Sequence, residues 1–283
     1  MPTAVLPDRG VIEVSGTEAA DFLNRLLTNQ VPPSPGTEAH AAALLTPQGK
    51  VLADVLIVPH PQQAGGFLLD CALSAKDELL KRLTLYRLRA AVTLVDGSAD
   101  WCVHAGWGEW TPEQTAPQAD CVIRDPRDSA LGHRFYARAA HPVTASPELY
   151  HAHRIDCGVA EAGQDYQPGS VFAHDLNLDH QQAIDFHKGC YIGQEVVSRM
   201  HHRGTARTRL VRVTLSDSQA IAPDRTIMAG ALPVGQLGSV TPNGQALALM
   251  RLDRVQDALT AQQTLTSGDA VCTPHLPDWA PLA

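Results

Sequence analysis

The N-terminal part of the chain alternates predicted strands with predicted helices. Residues 10–14 alternate apolar and polar side chains with a period of two, which predicts a strand. Ser15-Gly16-Thr17-Glu18 follows in the form of a capping box, and apolar residues then recur at helical spacing from Phe22. The apolar runs 41–45 and 51–58 are joined by a turn-forming segment and predict a β-hairpin. This mixture predicts an α+β fold.

Ser146-Pro147 predicts the start of a helix that Gly158 ends, and the polar segment 162–185 after it predicts a long loop. Beyond residue 207, the C-terminal part changes to a pattern of strands alone. From Leu210 to Cys272, short alternating runs are separated by Gly and Pro turns, which is typical of a small β-barrel. We therefore expect two regions, residues 1–206 and residues 207–283.

Composition narrows the class of protein. The 283 residues carry a formal net charge of −8, which argues against nucleic-acid binding by the whole surface. No apolar run approaches the roughly 18 residues that a membrane helix requires, so we expect no membrane partner. The N-terminal residues lack the layout of a signal peptide, and we expect a cytoplasmic protein.

Residue types that can react or bind a ligand are concentrated between His187 and Glu195. Gly189 and Gly193 permit a positive φ or the close approach of another group, so the loop between them would display Cys190. Positive charge from Lys188 would favour the thiolate, which is the form that attacks electrophiles or binds a metal. The alternative is that Cys190 is a small buried side chain.

The cysteines of the chain are scattered, and none of them forms a C-x-x-C pair. A structural zinc site, or an iron–sulfur cluster of the chain's own, would show closer thiol spacing. The histidines around Cys190 match no familiar ligand spacing either. We expect no metal site, and any cluster that this protein serves would belong to another protein.

Two further features carry charge in unexpected places. Residues 196–216 contain no acidic residue but several arginines, which would suit an anionic ligand such as a carboxylate tail or a phosphate. A solvated strand edge is the alternative, and RNA binding is weakly supported because the segment lacks aromatic residues. Asp54 interrupts an apolar strand, so it lies either on a wetter face or where a carboxylate is needed.

These residues resemble a known family. The octapeptide Lys188-Gly189-Cys190-Tyr191-Ile192-Gly193-Gln194-Glu195 matches the K-G-C-Y-x-G-Q-E signature of the folate-binding YgfZ family. This family is related to the aminomethyltransferase (T-protein) of the glycine cleavage system. The segment Gly49 to Asp54 resembles the family's G-[RK]-x-L-x-D hairpin, Tyr86-Arg87-Leu88-Arg89 resembles its Y-x-L-R helix end, and Arg203-Gly204 resembles its R-G.

The resemblance implies two α+β lobes and a C-terminal β-barrel, which together surround a central channel that holds tetrahydrofolate. It implies that Cys190 is the functional thiol, that Lys188 modulates it, and that Asp54 stands where the aminomethyltransferases keep their catalytic carboxylate. The implied folate-binding residues are Tyr150, Arg154, Asp156, Tyr191, Gln194, Glu195 and Arg203. Folate contacts would differ in detail, because Asp156 replaces a glutamate and Arg9 stands where some members place an aromatic residue.

Two functions from different classes remain. We favour an accessory factor that binds folate and supports assembly or repair of iron–sulfur clusters in other enzymes, including tRNA-modifying ones, through Cys190. Its partners would be folate and iron–sulfur client or assembly proteins. The alternative is a folate-dependent aminomethyltransferase or demethylase that uses Asp54 in one-carbon transfer. A Cys–His hydrolase would need a histidine oriented on Cys190, and the sequence selects none.

Overall fold

The first lobe of the computed structural model is an antiparallel sheet with two helices. The structure describes residues 2–32, 38–109 and 119–279. The strands of this lobe are β2 (Arg9–Ser15), β3 (His40–Leu45), β4 (Val51–Pro59), β5 (Phe67–Ala72) and β6 (Thr93–Asp96). They are ordered β3-β4-β5-β2-β6. Helix α1 (Ala19–Leu26) follows β2, and helix α2 (Leu73–Arg87) packs on the sheet through its buried Ala75, Leu79 and Leu83.

The second lobe is a smaller antiparallel sheet. Its strands are β1 (Thr3–Val5), β7 (Cys102–Gly106), β8 (Cys121–Arg124) and β9 (His133–Ala137). They are ordered β1-β7-β9-β8, so the first strand of the chain belongs to the second sheet. Helix α3 (Pro147–Asp156) follows and contacts β1 of this sheet and a strand of the C-terminal barrel.

The third lobe is a closed barrel that begins after helix α4 (Gln194–Arg203). Its strands are β10 (Thr208–Leu215), β11 (Thr226–Ala229), β12 (Leu232–Val240), β13 (Gln245–Arg251), β14 (Leu265–Ser267) and β15 (Ala270–His275). The closed order is β10-β13-β12-β11-β14-β15. Closure leaves no unpaired strand edge, which is how a small all-β unit avoids edge-to-edge association.

Two hydrophobic cores hold these lobes together. One core is continuous from the first sheet to the second and reaches Tyr150 and Val197, so the two N-terminal lobes share an interior. The other fills the barrel and is built from Val213, Ile227 and Met250 among others. Within the described residues, no helix has both the length and the apolar character needed to cross a bilayer.

The α+β class and the C-terminal barrel are confirmed, whereas some local predictions are wrong. The expected capping box is not formed, because the Glu18 carboxylate accepts a hydrogen bond from the Ala91 N–H at 2.6 Å instead of capping α1. The C-terminal part does not consist of strands alone, because helix α5 (Leu252–Thr260) connects β13 to β14. Its buried Leu252, Val255 and Ala258 share one helical face.

Candidate functional site

An aspartate turn fixes the start of the loop that carries Cys190. The Asp185 carboxylate accepts hydrogen bonds from the backbone N–H groups of His187 at 2.7 Å and Lys188 at 3.2 Å. The Asp185 N–H in turn donates to the Thr28 carbonyl at 3.0 Å. Aspartate favours such turns because its short side chain reaches its own backbone two residues on. The loop therefore starts from a defined position beside α1.

Lys188 fastens the same loop to the C-terminal end of α1. Its ammonium donates to the carbonyl oxygens of Asn24, Leu27 and Asn29 at 2.8, 2.8 and 2.6 Å. Burial lowers the pKa of Lys188 to about 8, so the group stays mostly protonated at neutral pH. An ammonium has three N–H donors, and these carbonyls use all of them. Lys188 therefore has no donor left for Cys190 and acts on it through the position of the loop.

Gly193 closes the loop against the β3–β4 turn. Its φ is +80°, and a Cβ at this position would lie 2.7 Å from the Thr46 carbonyl oxygen, so only glycine fits. Gly49 in that turn has a φ of +79° and lies against Val196 of α4 in the same way. Gly189 differs, because an added Cβ would meet no atom within 4 Å and its φ is not positive. The expected need for glycine thus holds at Gly193 and is wrong at Gly189.

Cys190 is the exposed member of the six cysteines, all of which lie in the described part of the chain. The others are Cys71 and Cys272, which are buried, and Cys102, Cys121 and Cys157, which are half-buried. Burial raises the pKa of the Cys121 and Cys272 thiols to about 11 and that of Cys157 to about 12. These thiols are protonated at neutral pH and shielded from solvent, whereas Cys190 is open to a partner.

The residues around Cys190 differ in their exposure and in their contacts. Tyr191 is buried, and its hydroxyl has no hydrogen-bond partner among the residues that the structure describes. Gln194 is half-buried and begins α4. Glu195 is exposed and pairs with Arg199 one turn later. Arg203 is also exposed and forms no salt bridge within the described ranges, so it is free to meet an anion.

Two arginines further along the basic segment are engaged, whereas Arg207 is exposed like Arg203. Arg209 is buried and donates to both carboxylate oxygens of Asp179 at 2.7 and 3.0 Å. Arg212 donates to the Asp156 carbonyl at 3.0 Å. The segment therefore does not present one continuous basic surface: Arg209 and Arg212 have structural contacts within the fold, whereas Arg203 faces solvent.

Asp54 is half-buried and faces Tyr166. It stands on β4 opposite Ala43, and its carboxylate accepts a hydrogen bond from the Tyr166 hydroxyl. Burial raises the pKa of Tyr166 well above its usual range, so the hydroxyl keeps its proton. Both side chains line a cavity of ≈10 Å³ that also touches Arg127. Such a volume holds about one water molecule.

Tyr150 and Arg154 are closed off by their neighbours. The Tyr150 ring is buried, and its hydroxyl accepts a hydrogen bond from Arg134 at 2.6 Å. Arg154 is also buried and donates to the Asp165 carboxylate at 2.8 Å. Its remaining donors go to His151, Val159, Gln164 and Ser239. Arg154 has no donor left for a ligand, and the Tyr150 ring is buried among its neighbours.

A network of buried ion pairs fills the space between the two sheets. Asp70 accepts hydrogen bonds from Arg9 at 2.6 Å, Tyr136 at 2.8 Å and Arg134 at 3.4 Å. Arg9 also donates to Glu161 at 2.6 Å. Burial opposes the charge of Arg9, but the carboxylates of Asp70 and Glu161 outweigh that effect and raise its pKa well above the usual range. The network replaces solvent in the centre of the molecule with fixed charges.

Tetrahydrofolate does not fit the residues at which the resemblance would place it. The pterin ring is larger than the ≈10 Å³ cavity beside Asp54, and Tyr150 and Arg154 are each only 1% exposed. Two larger cavities of ≈880 and ≈380 Å³ lie on either side of Arg127. Asp156 is the one implied folate residue that lines either of them. The implied folate set is therefore divided between the centre, the ≈380 Å³ cavity, the Cys190 loop and α4.

Two residues with clear structural roles were missed as candidates. Tyr166 bonds to Asp54 across 112 positions in sequence, and no local pattern signals such a pair. Asp185 shapes the Cys190 loop, and its position two residues before His187 is a recognisable signal for an aspartate turn.

Comparison with known proteins identifies the family. The iron–sulfur cluster assembly factor IBA57, mitochondrial, of Homo sapiens is 32% identical over 98% of this chain and 84% of its own length. The chain belongs to the IBA57 family. The Mus musculus IBA57 is also 32% identical, over 98% of this chain and 85% of its own length. Residues 207–282 match the family described as CAF17, C-terminal beta-barrel domain.

A solved structure confirms the fold of this IBA57 relative. The glycine cleavage system aminomethyltransferase T from Bartonella henselae superposes with a TM-score of 0.71 over 98% of this chain and 85% of that protein. The sequence identity is 12%, so the likeness concerns the fold alone. The expected three-lobed architecture, like that of the aminomethyltransferases, is therefore confirmed. The expected cytoplasmic location is wrong, because the matching IBA57 proteins are named as mitochondrial.

Proposed function

We propose that this protein is an accessory factor in iron–sulfur cluster assembly that acts through Cys190. The observation that carries the proposal is the exposure of Cys190 on an anchored loop, while the remaining cysteines are buried or half-buried. An exposed cysteine can, as its thiolate, bind iron or attack a disulfide, whose other sulfur then leaves as a thiolate. The role of the IBA57 relatives as iron–sulfur cluster assembly factors supports the same assignment, and we include tRNA-modifying enzymes among the proposed clients.

The surroundings of Cys190 suit an anionic cluster on a partner protein. The loop ends at the N-terminus of α4, where the helix dipole contributes partial positive charge. Arg203 lies at the other end of α4 and is exposed without a salt bridge to any described residue. The anchored loop would hold the thiol in place before the partner arrives, which reduces the entropy lost on binding.

Substitutions in cells that lack their own IBA57 test the proposal. We expect Cys190→Ala to abolish rescue of cluster-dependent enzyme activity and Asp54→Asn to preserve it. Cys157→Ala is the matched control, because this half-buried thiol contacts the imidazole of its own helix neighbour His153. The reverse pattern, in which Asp54→Asn abolishes rescue and Cys190→Ala does not, would replace the accessory role with one-carbon transfer.

A folate-dependent one-carbon transferase is the second candidate, and the pair of the half-buried Asp54 and the buried Tyr166 favours it. A carboxylate held beside a neutral phenol can act as a base or stabilise a cation. The candidate requires bound tetrahydrofolate, for which the closed centre has no room. We therefore expect no saturable heat signal when the purified protein is titrated calorimetrically with tetrahydrofolate. Saturable binding that Asp54→Asn weakens would revive the transferase.

Two further proposals concern the ancestry of the chain and the boundary between its domains. We propose that the chain shares ancestry with the folate-binding YgfZ family, which the complete octapeptide 188–195 supports. We also propose that residues 1–206 form the aminomethyltransferase-like region and residues 207–283 a separate barrel domain. The closed barrel from Thr208 to His275 and the family match over 207–282 support this division.

A further inference from the structure

The C-terminal end of α2 exposes apolar side chains that the fold does not use. Ala75, Leu79 and Leu83 face the sheet and are buried, which is sufficient to attach the helix. Leu85 and Leu88 point away from that face and are 62% and 86% exposed. Soluble proteins bear scattered exposed leucines, but these two lie three residues apart at one helix end, where Leu88 is the C-cap. Leu88 belongs to the segment Tyr86-Arg87-Leu88-Arg89, and Leu85 directly precedes it. This segment has no role in the proposed function.

The backbone at Leu88 favours glycine. Its φ is +46° and its ψ is −107°, where the Cβ of an L-residue is strained. Helices often end with a positive φ, and glycine is the usual residue there because it avoids that strain. A leucine at this position costs stability and is then left in solvent. Strain at a fully exposed side chain indicates that the side chain has a use outside the folded chain itself.

Positive charge surrounds the two leucines. No acidic residue occurs between Glu78 and Asp96, whereas Lys81, Arg82, Arg87 and Arg89 all fall in this interval. Arg82 is engaged by Glu78 at 2.6 Å. Arg87 and Arg89 are exposed and have no salt bridge within the described part of the chain. A surface depression of ≈420 Å³ beside Leu85 is lined by Lys81, Arg82 and Thr84.

We propose that Leu85, Leu88 and the four cations around them form a docking surface, the α2 surface, for an acidic partner protein. The partner would place apolar side chains against the two leucines and carboxylates against Arg87 and Arg89, so that buried apolar contact and charge complementarity act together. The inference does not depend on Cys190 and extends beyond the proposed function, because it assigns a second contact to a different element.

Charge distinguishes this partner from other occupants. A second copy of the chain would bring the same cations together, which is repulsive. An anionic bilayer is a broad plane that would also meet the surrounding surface of a chain with net charge −8. A folded acidic partner would meet mainly the surface around the two leucines, where Arg87 and Arg89 are exposed without a salt bridge to any described residue.

The probe for the test is a fluorescent helical peptide of about five turns, with leucines on one face and glutamates elsewhere. We expect it to bind the purified full chain and to bind Leu88→Gly and Leu85→Ser at least about tenfold more weakly. Leu149→Ser is the matched control, because Leu149 is 57% exposed on α3 and lies outside the α2 surface. A peptide with lysine in place of glutamate should not bind, and added salt should weaken the acidic peptide.

Leu88→Gly also separates docking from folding. Because glycine tolerates the local backbone, we expect the variant to melt at the same temperature as the parent or higher while its peptide affinity falls. A clearly lower melting temperature would show that Leu88 serves the fold and would overturn the inference. Equal affinity of parent and variant would overturn it too, as would binding only to vesicles of phosphatidylcholine and phosphatidylserine or a dimer that Leu88→Gly dissociates.

Discussion

His174 is 1% exposed, and neither of its ring nitrogens has a hydrogen-bond partner among the residues that the structure describes. It lies near Phe186, which precedes the Cys190 loop, and 4.0 Å from Asp179. Burial lowers the pKa of His174 to about 4, although the Asp179 carboxylate opposes this effect. The folded protein therefore keeps this imidazole neutral at pH values where an unfolded chain would protonate it.

This difference predicts a loss of stability in acid. Between pH 6.5 and about 4 the unfolded state binds a proton that the folded state does not, so the free energy of unfolding falls as the pH falls, by up to about 3 kcal/mol. We expect His174→Phe to flatten this part of the curve in urea unfolding measured across pH. His202→Phe, at an exposed position, should leave the slope unchanged. Parallel curves for the parent and His174→Phe would contradict the assignment.

Single residues also show what sequence can and cannot predict. The exposure of Cys190 was predicted because glycines and charged residues surround it in sequence. The contacts of Lys188 were not, since the carbonyls that it binds lie on α1, far away in the chain. A lysine next to a cysteine suggests control of the thiol, but the fold directs its ammonium elsewhere.

The Cys190 loop and α1 act as one unit at the scale of elements. The carbonyls at the end of α1 have no partners within the helix, and Lys188 satisfies two of them, Asn24 and Leu27. Gly193 then holds the other end of the loop against the β3–β4 turn. The loop is thus attached at both ends, so Cys190 is exposed but not loosely tethered.

Removing the Lys188 contacts should destabilise the protein. Lys188→Met keeps the length of the side chain but leaves helix-end carbonyls without donors, and we expect it to lower the free energy of unfolding by about 2 kcal/mol. Lys81→Met is the control, because the Lys81 side chain is 79% exposed, and it should have little effect. Urea unfolding followed by circular dichroism measures both. An equal, small effect of the two substitutions would show that the three hydrogen bonds contribute little.

Helices α4 and α5 mark the limit of element prediction. The segment of α4 buries only Val197, and its arginines also suit the solvated strand edge that the sequence leaves open. The segment of α5 has the right spacing, but it lies between strands in a region whose turns and alternation indicate β-structure alone. Element type is predicted well where apolar residues recur at helical spacing beside other helix signals, as in α1, and poorly where tertiary contacts select a short helix.

The whole molecule has the three-lobed architecture of the aminomethyltransferases, and buried ion pairs fill its centre. The arrangement of lobes could be predicted from the octapeptide and from the change in pattern near residue 207. The closure of the centre could not be predicted, because it depends on ion pairs between residues that are remote in sequence, such as Arg9 with Glu161 and Arg134 with Asp70. Such pairs are stable only when their partners are present together, since an unpaired buried charge is costly. Whether the central channel is open therefore depends on ion pairs that form only when the whole chain has folded.

We propose that the function lies at Cys190 rather than at Asp54, and the exposure of the Cys190 thiol supports this proposal. The most direct measurement is the activity of a cluster-dependent enzyme, divided by the amount of that enzyme, in cells that express Cys190→Ala in place of their own IBA57. We expect the ratio to fall to the level of cells without IBA57, while Cys157→Ala restores it fully at equal expression. Full rescue by Cys190→Ala would contradict the central claim.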